Sequence, residues 1–348
     1  MAFHARSPSP AKPRGLLPLW LVLALSLSTL VAPVAARAEG DCKDVGTNAQ
    51  KLGVSRVVEI DATSGPVFGQ MTLLRREAKF LRPHEVVLTF DDGPMPWITR
   101  SILATLERHC TRATFFNVGQ MALAYPNVVR EVLDRGHTVG THTWSHPLNL
   151  KRLSLSGAEA EIEKGFAAVA TAAGRPIAPF FRFPGLSDST QMVGFLAERH
   201  VASFTVDVVS NDSYIGDAER LKRETLAKIA ANDGGIILFH DIKAATARAL
   251  PDILDALAAR GYGVVHMVPK APMQPKAELI ATYEPQVARK LAELARTRHA
   301  LVPFYGTTGP QKASAPASGA GVDTAKLDAV TARQTAGGTW SVRVKRGN

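Results

Sequence analysis

Glu85-Val86-Val87-Leu88-Thr89-Phe90-Asp91-Asp92-Gly93-Pro94 begins as a short apolar run of β-branched and aromatic residues and ends in two adjacent carboxylates at a Gly-Pro turn. The run reads as a buried strand that stops where the acids begin. In an α/β protein the residues just past the carboxyl end of a strand line the site. Side chains leaving Asp91 and Asp92 in different directions could then serve different tasks. Read alone, the pair is an acidic turn, because Asp and Gly-Pro both favour turns. Its weight depends on what else the chain brings to the same end of a sheet.

From Glu85 onward short apolar runs alternate with helical patterns, the signature of repeated βα units and a parallel sheet or barrel. Strands are predicted at 86–90, 113–118, 138–140, 179–183, 202–207, 235–240 and 263–268, with an earlier one at 56–60. Ser156 followed by Glu159 is a capping box opening a helix that runs to Gly174, with Ile162, Phe166 and Val169 on one face. Helices over 127–135 and 244–260 each end at a glycine, Gly136 and Gly261. After Val268 the rhythm stops, and Val287, Leu291 and Leu294 mark one further amphipathic helix over 284–298.

The 348 residues, 46% of them hydrophobic, can bury a full core, and the chain carries a net charge of +10. That excess gathers at the two ends, with no basic block interleaved with aromatics between them, which argues against nucleic acid as the partner. Basic residues through Arg14, an apolar run from Leu16 to Val31, Pro33 and Ala36-Arg37-Ala38 fit a secretory signal peptide cleaved after Ala38. Export to the periplasm or beyond would permit Cys42 and Cys110 to pair, and the sequence leaves that pairing open. The expected organisation is a signal peptide at 1–38, a lead-in at 39–84 and the main domain at 85–270. A helical extension at 271–305 and a flexible basic tail at 306–348 follow; a solvated tail is the simpler reading, contact with an anionic envelope polymer the alternative.

His142 and His146 stand four apart directly after the third strand of the main domain, a spacing that on a helix or tight turn can point both imidazoles at one ion. With Asp92 they would supply two nitrogens and one carboxylate oxygen and leave positions open for water and substrate, a catalytic ligand count. Asp91 is then free to take a proton from a water molecule. Arg182 falls at the fourth strand end, where a buried guanidinium would be paired with a carboxylate. Asp212 follows the fifth, and Leu238-Phe239-His240-Asp241 closes the sixth. Polar side chains recurring at successive strand ends point to one shared site. His266 fits no motif and reads as a core or surface histidine.

The set Thr89-Phe90-Asp91-Asp92-Gly93-Pro94, His142-x-x-x-His146, Arg182-x-Pro184, Ser210-x-Asp212 and Leu238-x-His240 resembles the five motifs of the polysaccharide deacetylases, the NodB-homology group or carbohydrate esterase family 4. The resemblance implies a distorted (β/α)7 barrel, in agreement with the strand count. It implies Asp91 as catalytic base, Asp92, His142 and His146 as metal ligands, Arg182 positioning Asp91, and His240 as general acid with Asp212 as its partner. Leu238 would line the acetyl pocket, and the Gly185 N–H would face the oxyanion. One motif departs: where the family often shows Asp-Ser/Thr-x-Asp-Trp, this chain reads Val209-Ser210-Asn211-Asp212-Ser213. Trp144 or Tyr214 could replace the missing tryptophan in the pocket wall.

The resulting expectation is an exported, metal-dependent hydrolase that removes acetyl groups from an N-acetylated amino-sugar glycan: peptidoglycan, a chitin-like oligomer or poly-N-acetylglucosamine. Zn²⁺ is the expected ion, with Co²⁺ or Mn²⁺ as substitutes. The alternatives are an O-acetyl glycan esterase on the same site and a catalytically silent carbohydrate-binding envelope protein. Oligomeric state is not legible.

Overall fold

The computed structural model describes Cys42 and residues 51–72, 79–300, 330–334 and 340–344. One ten-stranded sheet holds β1 Arg56–Ile60, β2 Val67–Phe68, β3 Glu85–Asp91, β4 Thr114–Asn117, β5 Thr138–Thr141, β6 Phe180–Phe181, β7 Ala202–Phe204, β8 Val208–Val209, β9 Gly234–His240 and β10 Gly263–Pro269. Neighbours run β1-β10-β3-β4-β5-β6-β7-β2, with β9 also on β3 and β8 on β9. The pairings within this sheet are parallel. β9 follows β3 along its whole length, whereas β10 meets β3 only at Glu85 and Val86 and β4 meets it only at Thr89 to Asp91. This is the distorted (β/α)7 barrel expected from the sequence.

The period-two alternation of β3 sets up the site. Val86, Leu88 and Phe90 turn outward into the layer between sheet and helices, while Val87 turns into the barrel beside Phe116, Phe204, Ile236 and Leu238. Parity then carries Thr89 and Asp91 to the inner face. Phe204 plugs the interior, its ring 5.0 Å from Phe68, 5.8 Å from Phe116 and 4.9 Å from Phe180. Burying each such ring stabilises the fold by about 1.5–3 kcal/mol.

The described helices are α1 Pro96–Arg108, α2 Gly119–Ala124, α3 Pro126–Asp134, α4 Leu155–Ala173, α5 Thr190–Glu198, α6 Ala218–Ala231, α7 Ala244–Ala259 and α8 Ala277–Ala300. α4 ends as expected, at Gly174 in the left-handed region (φ 66°). Its start differs: the cap is Ser154, whose hydroxyl accepts from the Gly157 N–H at 3.2 Å, and Ser156 lies inside the first turn. α8 begins seven residues earlier than the apolar spacing alone indicates, since Tyr283 is buried as well as Val287. Cys42 and Cys110 form a disulfide, with Cα atoms 5.5 Å apart, which ties the lead-in to the loop after α1. Residues 1–38, expected as a signal peptide, lie outside the described residues. Within the segment expected as a tail, β11 Val330–Gln334 and β12 Trp340–Val344 pair antiparallel, and the rest of it lies outside the described residues. Among the described residues no helix is long and apolar enough to cross a membrane.

Candidate active site

The carboxyl ends of β3, β5, β6, β8 and β9 converge on a cavity of about 430 Å³. Asp91, Asp92, His142, His146, Asp212 and His240 all line it. Asp91, last residue of β3, points inward, where the fully buried Arg182 donates to its Oδ1 at 2.8 Å and to the Thr89 hydroxyl at 2.7 Å. The guanidinium also donates to the carbonyls of Phe204 (3.2 Å) and Thr205 (3.3 Å) and lies 4.3 Å from the Phe116 ring centroid. Burial drives the Arg182 pKa down, and Asp91 opposes that fall. One carboxylate is thus fixed by a buried cation.

Asp92 breaks away from the strand through a left-handed backbone (φ 76°), which sends its carboxylate to the two histidines. Nε2 of His146 lies 3.1 Å and Nε2 of His142 3.6 Å from Asp92 Oδ1. That buried oxygen receives no well-directed hydrogen bond from the protein. His142 holds its Nδ1 2.7 Å from the Arg182 carbonyl, which fixes the N–H on that nitrogen and leaves the Nε2 lone pair facing Asp92. The loop between the histidines is not helical: Thr143 (φ 67°) and His146 (φ 60°) both take left-handed conformations, and the Thr143 hydroxyl accepts from the His146 N–H at 3.0 Å. Donor atoms of Asp92, His142 and His146 all fall within 4.8 Å of one another, and all three residues are buried. A buried, under-bonded carboxylate oxygen beside two imidazole nitrogens is the donor set of a divalent-cation site of the zinc type.

Across the cavity His240 sits at the end of β9. Its Nδ1 lies 2.7 Å from Asp212 Oδ1, while Asp212 Oδ2 accepts from the His240 N–H at 2.7 Å and from the Thr246 hydroxyl at 2.6 Å. Burial pulls the imidazole down, but Asp212 and then Asp92 outweigh it, and the pKa is pushed up to about 9. For His142 burial wins over Asp91 and holds the ring down to about 4. For Asp92 burial works upward, yet His146, His240 and His142 together keep the carboxyl below its ordinary range. His240 is thereby poised to give a proton, and His142 to stay neutral.

Leu238 and Gly185 line the cavity as expected, Gly185 in a left-handed turn (φ 61°). Tyr214 lines it too and is 90% exposed. Trp144 does not take the place of the missing tryptophan; its ring stacks on Tyr283 of α8 at 5.1 Å, so Tyr214 alone of the two reaches the cavity. His266 belongs to the opposite end of the barrel, 3.0 Å from the Thr138 hydroxyl. Reasoning from sequence did not single out Leu148, Phe183, Leu186, Val209, Ile242 and Lys243 as cavity walls. Nor did it find Thr246, which looks like any threonine in the first turn of a helix.

Comparison with known proteins shows the family. The polysaccharide deacetylase family profile matches residues 79–201. The chain is 34% identical over 180 residues to a peptidoglycan-N-acetylglucosamine deacetylase of Listeria monocytogenes, a match covering 52% of this chain and 37% of that one. It is 30% identical over 209 residues to a chitooligosaccharide deacetylase of Azorhizobium caulinodans, covering 56% of this chain and 98% of the relative. The chain belongs to the polysaccharide deacetylase family. A solved peptidoglycan deacetylase of Bdellovibrio bacteriovorus superimposes with a TM-score of 0.57 at 30% identity, over 65% of this chain and 61% of that one. The chain matches only 37% of the length of the Listeria deacetylase. The family profile covers the Asp91–Asp92 turn, both histidines and Arg182; Asp212 and His240 lie beyond it.

Proposed function

We propose that this polysaccharide deacetylase is an exported, metal-dependent hydrolase that removes N-acetyl groups from an amino-sugar glycan. The observation that carries the reading is the division of labour between two adjacent carboxylates, Asp92 on His142 and His146, Asp91 on Arg182, facing the Asp212–His240 pair across one cavity. Asp92, His142 and His146 would hold the ion, with Zn²⁺ first and Co²⁺ or Mn²⁺ as substitutes. When bound, a divalent ion supplies polarisation of the acetyl carbonyl and acidification of water. Asp91, held in place by Arg182, accepts a proton from the attacking water. As the C–N bond breaks, His240 gives its proton to the departing amine, and the products are acetate and a free amino sugar. The Gly185 N–H would donate to the developing oxyanion. Leu238, Val209 and Leu186 supply an apolar wall for the acetyl methyl group.

Among N-acetylated glycans the cavity favours an acidic one. Lys243 is half-buried in the cavity wall, and its side-chain amine makes no hydrogen bond or ion pair among the described residues. A peptidoglycan strand, which carries carboxylates, complements it; a neutral chitin oligomer does not. The Cys42–Cys110 disulfide supports folding in an oxidising compartment, in keeping with a signal peptide at 1–38. The test is acetate release from purified N-acetylated and O-acetylated glycans by metal-stripped protein with and without Zn²⁺. Zinc-dependent release from an N-acetylated glycan is expected. Release from O-acetyl esters alone would move the function to esterase, and no release from any glycan would sink the hydrolase reading.

A further inference from the structure

Asp241, the residue after His240, is fully buried and takes no part in the chemistry above. Its backbone N–H donates to the Asp91 carbonyl at 3.2 Å, and its Oδ1 accepts from the Gly93 N–H at 3.0 Å. The residue enclosed between these two bonds is Asp92, with φ at 76°. A non-glycine residue in the left-handed region persists only where its surroundings over-determine it. Asp241 supplies that constraint from both sides of Asp92. The far oxygen, Oδ2, accepts from the Thr99 hydroxyl at 2.7 Å, and Thr99 in turn accepts from the Met95 N–H at 2.8 Å, so the clamp is anchored in the first turn of α1. The fit is close: a Cβ on Gly93 would stand 2.0 Å from Asp241 Oδ2.

We infer that Asp241 is a positioning residue that locks Asp92 into the left-handed turn aiming its carboxylate at His142 and His146, and so sets the affinity of the three-residue site for a divalent cation. The inference rests on the metal-site reading given above. Because Asp241 directly follows His240 at the end of β9, one strand end fixes both the proton donor and the ligand turn.

The experiment is Zn²⁺ affinity by chelator competition on the full chain, with metal-free thermal unfolding measured in parallel. Asp241→Ala should weaken zinc by about 10- to 100-fold, the usual cost of losing a group that orients a ligand. Asp241→Asn, which keeps an oxygen for the Gly93 N–H, should remain within about threefold of wild type. Gly93→Ala, whose new methyl group displaces the Asp241 carboxylate, should weaken zinc as Asp241→Ala does. A purely structural role predicts lower unfolding temperatures with zinc affinity unchanged; that result overturns the proposal, as does a wild-type chain that takes up no zinc. If Asp241→Ala does not fold, Asp241→Asn and Gly93→Ala decide it: affinity held in the first and lost in the second supports the clamp, and any other pairing overturns it. A wild-type chain that binds zinc but releases no acetate from any glycan sinks the hydrolase reading, while the clamp is still judged by affinity.

Discussion

His137 and His142 flank the same four-residue strand, β5, one entering it and one leaving it, and both are buried. Burial lowers the pKa of each. What differs is the company. His137 meets cations and a donor: its Nδ1 accepts from the Ala113 N–H at 3.2 Å, Arg112 adds to the lowering, and no carboxylate contributes. His142 meets Asp91, Asp92 and the Arg182 carbonyl, so its lone pair faces anions and not a peptide N–H. The same residue type on the same strand is a structural acceptor at one end of the barrel and a ligand candidate at the other. Chemistry here is decided by which charges the neighbouring strand ends deliver, since burial is shared.

The comparison can be broken by treating both histidines alike. His142→Asn should lower zinc-dependent acetate release by about 10²- to 10⁴-fold and weaken zinc, whereas His137→Asn, whose amide oxygen can still accept from Ala113, should stay within about twofold of wild type in both. Equal loss in the two variants would mean that the site is not confined to the carboxyl end of the sheet. The next effect concerns stability. Arg182→Met strands the buried Asp91 without its cation, and breaking a buried pair costs about 3–5 kcal/mol. Chemical denaturation of the metal-free protein measures this, and a loss below about 1 kcal/mol would show that Asp91 is otherwise satisfied.

The opposite end of the barrel should declare itself in acid. His137 is held well below its ordinary value by burial, and His266 is lowered to about 4 by burial and Arg112. A folded pKa below the unfolded value means that the unfolded chain binds protons first. Stability is therefore fully present above about pH 6.5 and shrinks below it, by about 2 kcal/mol per histidine at pH 5. Unfolding free energies at pH 7.5 and pH 5 should differ less in His137→Asn than in wild type, by about that amount. An identical difference would show that the His137 ring is protonated in the fold.

Much of this was legible because it follows from spacing. Acids at the end of an apolar run, two histidines four apart, and an arginine and a histidine at later strand ends suffice to gather six residues at one site, while the strand–helix alternation leaves sheet or barrel open and the family resemblance implies the barrel. What was not legible depends on distance in space. Ser154 rather than Ser156 caps α4, because the helix begins where Leu155 can start the first turn, which a local motif does not reveal. Trp144 follows the first histidine so closely that it reads as a pocket wall, yet α8, more than a hundred residues later, offers Tyr283 and draws the indole outward. The two-residue strands β2 and β8 have too few residues to show any period.

Thr246 is the smallest and most instructive case, since no sequence pattern marks it. Its hydroxyl donates to Asp212 Oδ2 at 2.6 Å from the first turn of α7, and that oxygen also takes the His240 N–H. Asp212 therefore depends on Thr246 for only one of its bonds, while its Oδ1 stays on the His240 ring. Thr246→Val keeps the volume of this fully buried side chain and removes the donor alone. The loss should be about 1 kcal/mol, roughly fivefold in kcat with KM little changed, if Asp212 acts through His240 as the proposed proton donor and not on the bound sugar. A change confined to KM would place Asp212 with the groups that bind the glycan, and the contrast between the two ends of the barrel would then rest on binding more than on proton transfer.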